Sequence, residues 1–139
     1  MKNPIILLGI IIVILLAVFA VINLGNKTKS DPNNLNWTND INLALKEAQA
    51  TNKTVMIDFY SPSCDNCVKL DDVTFKDPNV KQKLTSNYVI VKINVDKNPN
   101  LATEYQITSA PVLVFLNSTG QEIKRIQGYK EPGEFINNF

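Results

Sequence analysis

Apolar and polar positions divide the chain into three stretches. From Pro4 to Leu24 the sequence is almost wholly apolar, broken by Gly9 and Asn23. Ile5 to Ile22 carries no charged or strongly polar residue, about 18 positions against the roughly 20 that cross a ~30 Å hydrocarbon layer. A helix packed on a core is apolar along one stripe, and this one is apolar on every side. The expectation for residues 1–24 is therefore a transmembrane anchor or signal segment. Lys2 gives a positive start, and Val18-Phe19-Ala20 resembles a small-residue cleavage site. The apolar run is longer than the roughly 7–15 residues of a signal-peptide core, which favours an uncleaved anchor. Residues 25–36 are polar, turn-rich and aperiodic, and read as a linker. Residues 37–139 remain, roughly 100 residues, enough for one core.

Within that last stretch the periodicity alternates. Thr38 or Asn39 can cap a helix over Ile41 to Ala50, with Ile41, Leu45 and Ala48 on one face. Thr54 to Tyr60 is a short apolar run of the kind buried on both sheet faces. Ser61-Pro62-Ser63 breaks it. A helix from about Cys64 to Leu70 follows, interrupted or continued towards Phe75. Asp77 and Pro78 suit the N-cap and first position of a further helix through Val80 and Leu84. Tyr88 to Val95 is a second strand, and Asn98-Pro99 opens a short helix towards Tyr105. Pro111 to Leu116, a turn at Asn117 to Gly120, and Glu122 to Ile126 form a hairpin. A last helix begins at Glu131-Pro132. Strands alternating with helices predict an α/β fold, a central sheet flanked by helices. Trp37 is expected to pack the first of these helices onto the sheet, and Tyr60, Phe59, Phe75 and Phe115 to fill core or site walls.

Composition narrows the chemistry. The formal charge is +1 and histidine is absent. No basic face points to a nucleic-acid partner. Ser-His-Asp and Cys-His catalysis, and His-ligated metals, are excluded. The 2 cysteines cannot build a Cys-only zinc site. Spaced as Cys64-Asp65-Asn66-Cys67, they are either a redox pair or a short structural disulfide. Closing so small a loop gains little, which disfavours the structural staple. After a strand and at a helix start, positions i and i+3 share a face. The first sulfur then meets unpaired N–H groups and the positive end of the helix dipole, both of which lower a thiol pKa from ~8.5. Cys64 is the expected nucleophile and Cys67 the expected resolving thiol. Asp71 and Asp72, as chain neighbours, read as a solvated helix face. Asn26, Asn36, Asn52 and Asn117 begin Asn-x-Ser/Thr sequons, which an Asn-rich chain produces by chance.

The stretch Val55-Met-Ile-Asp58-Phe-Tyr-Ser-Pro-Ser-Cys64-Asp-Asn-Cys67 resembles the strand and active-site turn of the thioredoxin family. Val91 to Pro99 is similar to its next strand and helix entry. Ser109-Ala110-Pro111 sits where that family has a cis-proline, and Gly120 and Gly128 fall at its hairpin glycines. The likeness covers nearly all of Lys53 to Phe139. Asp71 to Val80 is similar to the insertion found in the subgroup formed by the C-terminal domain of the bacterial transmembrane reductase DsbD. The resemblance implies a thioredoxin-like fold and a buried carboxylate at Asp58, which would take the proton of Cys67. It also implies a supporting role for Lys92 beside Asp58. A cis Ala110–Pro111 bond would set the backbone there to pair with an extended substrate segment.

The departures are Ser63 for a tryptophan, Val68 for a lysine, and Asp65-Asn66 for Gly-Pro. Asp65 should oppose thiolate formation at Cys64. With no histidine between the cysteines, a reductant is expected rather than a strong oxidant. The expected protein is a membrane-tethered extracytoplasmic thiol–disulfide oxidoreductase, a disulfide reductase or electron relay without cofactor or metal, secreted if the N-terminal segment is cleaved. Its partners would be disulfide-containing proteins and a thiol electron donor. The alternative is a non-catalytic thioredoxin-like module that binds partners or assists assembly.

Overall fold

The computed structural model describes residues 4–24 and 34–138, with side chains of the first helix described over residues 8–18. That helix, α1, runs Pro4–Leu24. Its described side chains, such as Leu8, Val13 and Leu16, are exposed. Among the residues so described, no helix is long and apolar enough to cross a membrane. The expected linker falls outside the described residues as far as position 33.

The domain is a mixed four-stranded sheet with helices on both faces. Its elements in chain order are α2 (Ile41–Thr51), β1 (Thr54–Tyr60), α3 (Asp65–Lys69), a π-helical turn (Leu70–Thr74), α4 (Pro78–Asn87), β2 (Tyr88–Asn94), α5 (Pro99–Glu104), β3 (Val112–Leu116), β4 (Glu122–Gln127) and α6 (Pro132–Asn137). Strand order is β2-β1-β3-β4. β1 lies parallel to β2, with Asp58 opposite Lys92. It lies antiparallel to β3, and β3 antiparallel to β4. Side chains alternate across the pleat, so each central strand serves two cores. Val55, Ile57 and Phe59 pack with Ala44 and Ala48 of α2. Met56, Ile90, Leu113 and Phe115 pack with Leu70, Phe75, Leu84 and Phe135 on the opposite face.

Local chemistry accounts for the element ends. Asp77 accepts from the N–H groups of Asn79 and Val80, and Pro78 takes the first helical position, as expected. Gly120 turns the hairpin at φ 85°, a conformation costly for a residue with a Cβ. Two expectations need correction. The cap of α2 is Asp40, whose Oδ1 accepts from Leu43 N–H at 3.0 Å. Thr38 instead accepts from Asp40 N–H and bridges β2 at Val91. Trp37 packs away from α2, with its ring 5.1 Å from Phe75 on the other side of the sheet. Thr38 commits this segment to the β2 edge, and the pleat then turns its predecessor to the opposite face. The helix after Cys64 does continue towards Phe75, one of the two courses expected, and it does so through a π turn. Phe75 N–H reaches the Leu70 carbonyl at 2.9 Å, an i→i−5 bond that adds one residue to the turn.

Candidate functional site

Cys64 is the N-cap of α3, in extended conformation, and its Sγ accepts from the Cys67 N–H at 3.2 Å. The sequence enforces this. Pro62 cannot continue a ladder, and Cys64 N–H closes a turn onto the Ser61 carbonyl at 3.2 Å. The two sulfurs form a disulfide, with the Cα atoms 5.2 Å apart. They are not equivalent. Cys64 is half-buried at the surface, while Cys67 is 3 % exposed on the inner face of α3.

Cys64 Sγ also lies 3.3 Å from the Ala110 carbonyl oxygen. The Ala110–Pro111 peptide is cis, as the resemblance implied. Ala110 is half-buried and Pro111 buried. The Pro111 carbonyl is held from behind by Gly128 N–H at 2.9 Å.

Behind the cysteines lies a charge cluster built around one buried carboxyl. Asp58 is 1 % exposed. It shares the sheet face of Met56, turned towards α3 and the π turn. Lys92 Nζ stands 3.7 Å from Asp58 Oδ2. The same ammonium hydrogen-bonds the Asp71 carboxylate. It also lies over three rings, with centroids at 4.9 Å for Tyr60, 5.3 Å for Trp37 and 5.9 Å for Phe75. Asp58 Oδ1 accepts no hydrogen bond among the described residues. Loss of hydration on burial pushes the Asp58 carboxyl up from 3.8 to about 7. Lys92 pulls the other way, and the charge of Asp71 adds to the rise. The result is a carboxyl that changes protonation near neutral pH.

The structure brings together all six residues singled out for the site: Cys64 and Cys67 at the head of α3, Asp58 and Lys92 side by side beneath it, Ala110 against the outer sulfur, and Pro111 joined to Ala110 by the cis bond. Asp71 was read as a solvated face, and that is corrected. Only Asp72 is one, paired with Lys76 at 2.7 Å in an exposed i,i+4 contact. Asp71 lies four residues after Cys67, a helical spacing that keeps it on the inner side, where Lys92 meets it. That spacing was the available signal. Nothing local marked Trp37 as part of the cluster.

A dithiol with one accessible and one buried sulfur, backed by a buried carboxyl on a mixed sheet, defines a thiol–disulfide oxidoreductase of thioredoxin type. The chain belongs to the thioredoxin-like domain family, whose model matches residues 41–138. It is 34% identical over 122 residues to the thiol:disulfide interchange protein DsbD of Salmonella typhimurium, covering 80% of this chain and 21% of that protein. The chain thus spans about a fifth of the length of the curated DsbD relatives it matches. Among solved structures, a thioredoxin from Thermus thermophilus superposes with a TM-score of 0.67 at 29% identity, over 75% of this chain and 83% of that one. The C-terminal domain of Neisseria meningitidis DsbD, in its oxidised form, superposes with a TM-score of 0.59 at 21% identity. Those matched lengths are 73% of this chain and 95% of that domain, a likeness of fold.

Proposed function

We propose that this protein reduces, or relays electrons to, disulfides of extracytoplasmic proteins while tethered to the membrane through residues 1–24. The observation that carries the reading is the asymmetry of the dithiol: Cys64 half-buried at the surface, Cys67 only 3 % exposed. In the reduced protein, the Cys64 thiolate attacks one sulfur of a partner disulfide. A mixed disulfide forms and the partner's other sulfur leaves as a thiolate. Cys67 then attacks Cys64 Sγ, the Cys64–Cys67 bond forms, and the partner's second thiol is released. Two electrons have passed to the partner. Asp58, buried without a hydrogen bond to Oδ1, receives the Cys67 proton, directly or through a water. Lys92 and Asp71 hold that carboxyl's charge balance. Ala110 and Pro111 offer backbone for an extended partner segment. Thiolate formation at Cys64 is aided by the Cys67 N–H that its sulfur already accepts.

Placement outside the cytoplasm rests on chemistry: an apolar segment of export type precedes a dithiol, and disulfide partners persist in oxidising compartments. The test is insulin reduction by the full chain with its two single-cysteine variants. Cys64→Ser should abolish activity, and Cys67→Ser should accumulate mixed disulfides. Equal activity in the two variants would reject the scheme, and a reduction potential above about −150 mV would reject the reductant direction.

A further inference from the structure

Ahead of α2, residues 35–38 form a strap along the outer edge of β2, and it grips Lys92 at both ends. Thr38 N–H donates to the Ile90 carbonyl at 3.1 Å, and the Thr38 carbonyl accepts from Lys92 N–H at 2.8 Å. Trp37, one residue earlier, meets the other end of the same lysine: the ammonium stands 5.3 Å from the centroid of its ring. That ring also packs 5.1 Å from Phe75, and Leu35 joins the same apolar cluster. Trp37 is half-buried. One side of the indole meets Lys92 and Phe75, and the rest is open to water.

The ring is therefore a cover on the charge cluster. Lys92 beneath it is 20 % exposed at its side chain, and Asp58 Oδ2, 3.7 Å further in, belongs to a side chain only 2 % exposed. The other groups around the ammonium are Asp58 and Tyr60 of β1, Asp71 and Phe75 of the helical segment after Cys67. Trp37 alone comes from ahead of the domain's first helix. The titratable or charged groups of the cluster are Asp58, Tyr60, Lys92, Asp71 and, in the reduced protein, the Cys67 thiol; residues 35–38 bring none. A lysine ammonium is compact, strongly hydrated and carried on a flexible stem, so it stays over a buried carboxyl only while its route to water is closed. Resting on the reductase reading above, we infer that Trp37 is a positioning residue, which keeps the Lys92 ammonium over Asp58 and water off that carboxyl, and so controls the step in which Cys67 gives up its proton and releases the mixed disulfide.

The experiment uses the full chain in detergent micelles. The reduced protein is mixed with a disulfide peptide, and formation and decay of the mixed disulfide are followed by acid quenching from pH 5 to pH 9. Loss of hydration is the largest cause holding the Asp58 carboxyl up, and the pull of Lys92 is the smaller, opposing one. Water admitted by Trp37→Ala should therefore move the pH profile of release down by about one unit. Formation, which is the work of Cys64, should keep its profile. Trp37→Phe keeps a ring over Lys92 and should restore the original release profile. Thr38→Pro removes the N–H that ties the strap to Ile90 while leaving the indole in the chain, and should shift release as Trp37→Ala does. A role confined to stability would lower the denaturation midpoint of these variants and leave the release profile in place. The unaltered protein supplies an independent reading. Trp37 is its single tryptophan and histidine is absent, so emission of the oxidised chain should show an inflection near pH 7 that disappears in Asp58→Asn. Release profiles of Trp37→Ala and Thr38→Pro that coincide with the original, or emission that is flat across neutral pH, overturn the role of Trp37 while leaving the dithiol scheme standing. An unaltered chain that forms no mixed disulfide loses the reductase reading, and this inference with it.

Discussion

The two faces of strand β1 differ more than their shared sequence of seven residues suggests. On one, Val55, Ile57 and Phe59 are fully buried in an apolar cluster with α2. On the other, Met56 is equally buried, but the next two positions are Asp58 and Tyr60, and they meet Lys92 and, through it, Asp71. One face supplies stability. The other gives some of it up to keep a carboxyl out of water beneath a reactive sulfur. The strand can carry both because successive side chains point to opposite sides.

The difference breaks most visibly on the apolar face. Phe59 is fully buried and stacks 5.2 Å from the Tyr105 ring. Phe59→Ala should cost about 3–5 kcal/mol. The loss should be the same at pH 5 and pH 8, because burial pushes the hydroxyl of Tyr105 up from its ordinary value of 10.0, so the ring Phe59 touches stays neutral at both. Denaturant titrations at the two pH values check both statements.

On the charged face the sign is reversed. Folded, Asp58 keeps its proton up to about pH 7; unfolded, it loses it near 3.8. The folded state therefore binds more protons between those values, and stability falls as pH rises through that window. The full cost is reached above pH 7 and is at most on the order of 4 kcal/mol. Asp58→Asn, which leaves Lys92 its partner in Asp71, should stabilise the oxidised protein by about 2–4 kcal/mol at pH 8 and hardly at all at pH 4. It should also slow release of the mixed disulfide, since an amide cannot take the Cys67 proton. A variant that is more stable but slower separates the two faces; one that is less stable at pH 8 would remove the buried-carboxyl account.

Much of this was legible beforehand because the informative signals are local. Thr54 to Tyr60, the Asp77-Pro78 helix start, the hairpin around Gly120 and the Cys64–Cys67 spacing each depend on residues within a few positions of one another. The misreadings involve what is settled at long range. Asp40 rather than Thr38 caps α2 because Thr38 is recruited to β2, a contact more than fifty residues away in the chain. Trp37 lies over Lys92 for the same reason. The π turn has no sequence marker, and it governs how the helix after Cys67 presents its inner side.

Asp71 and Asp72 carry the smallest predicted difference and the finest test. They are adjacent in sequence and chemically identical. Asp72 faces solvent and meets Lys76, an exposed pair of the kind that contributes little. Asp72→Asn should change stability by less than about 0.5 kcal/mol and leave the redox chemistry's pH profile where it was. Asp71 shares the ammonium of Lys92 with Asp58, and its negative charge helps hold the Asp58 carboxyl up. Asp71→Asn should cost about 1 kcal/mol through the lost charged hydrogen bond. It should also free Lys92 to act on Asp58 alone, so the titration of Asp58 moves to lower pH. The pH dependence of mixed-disulfide release, followed in the two variants side by side, reads that shift. Identical profiles for Asp71→Asn and Asp72→Asn would mean that both carboxylates lie on one solvated face and that the cluster behind Cys67 ends at Lys92.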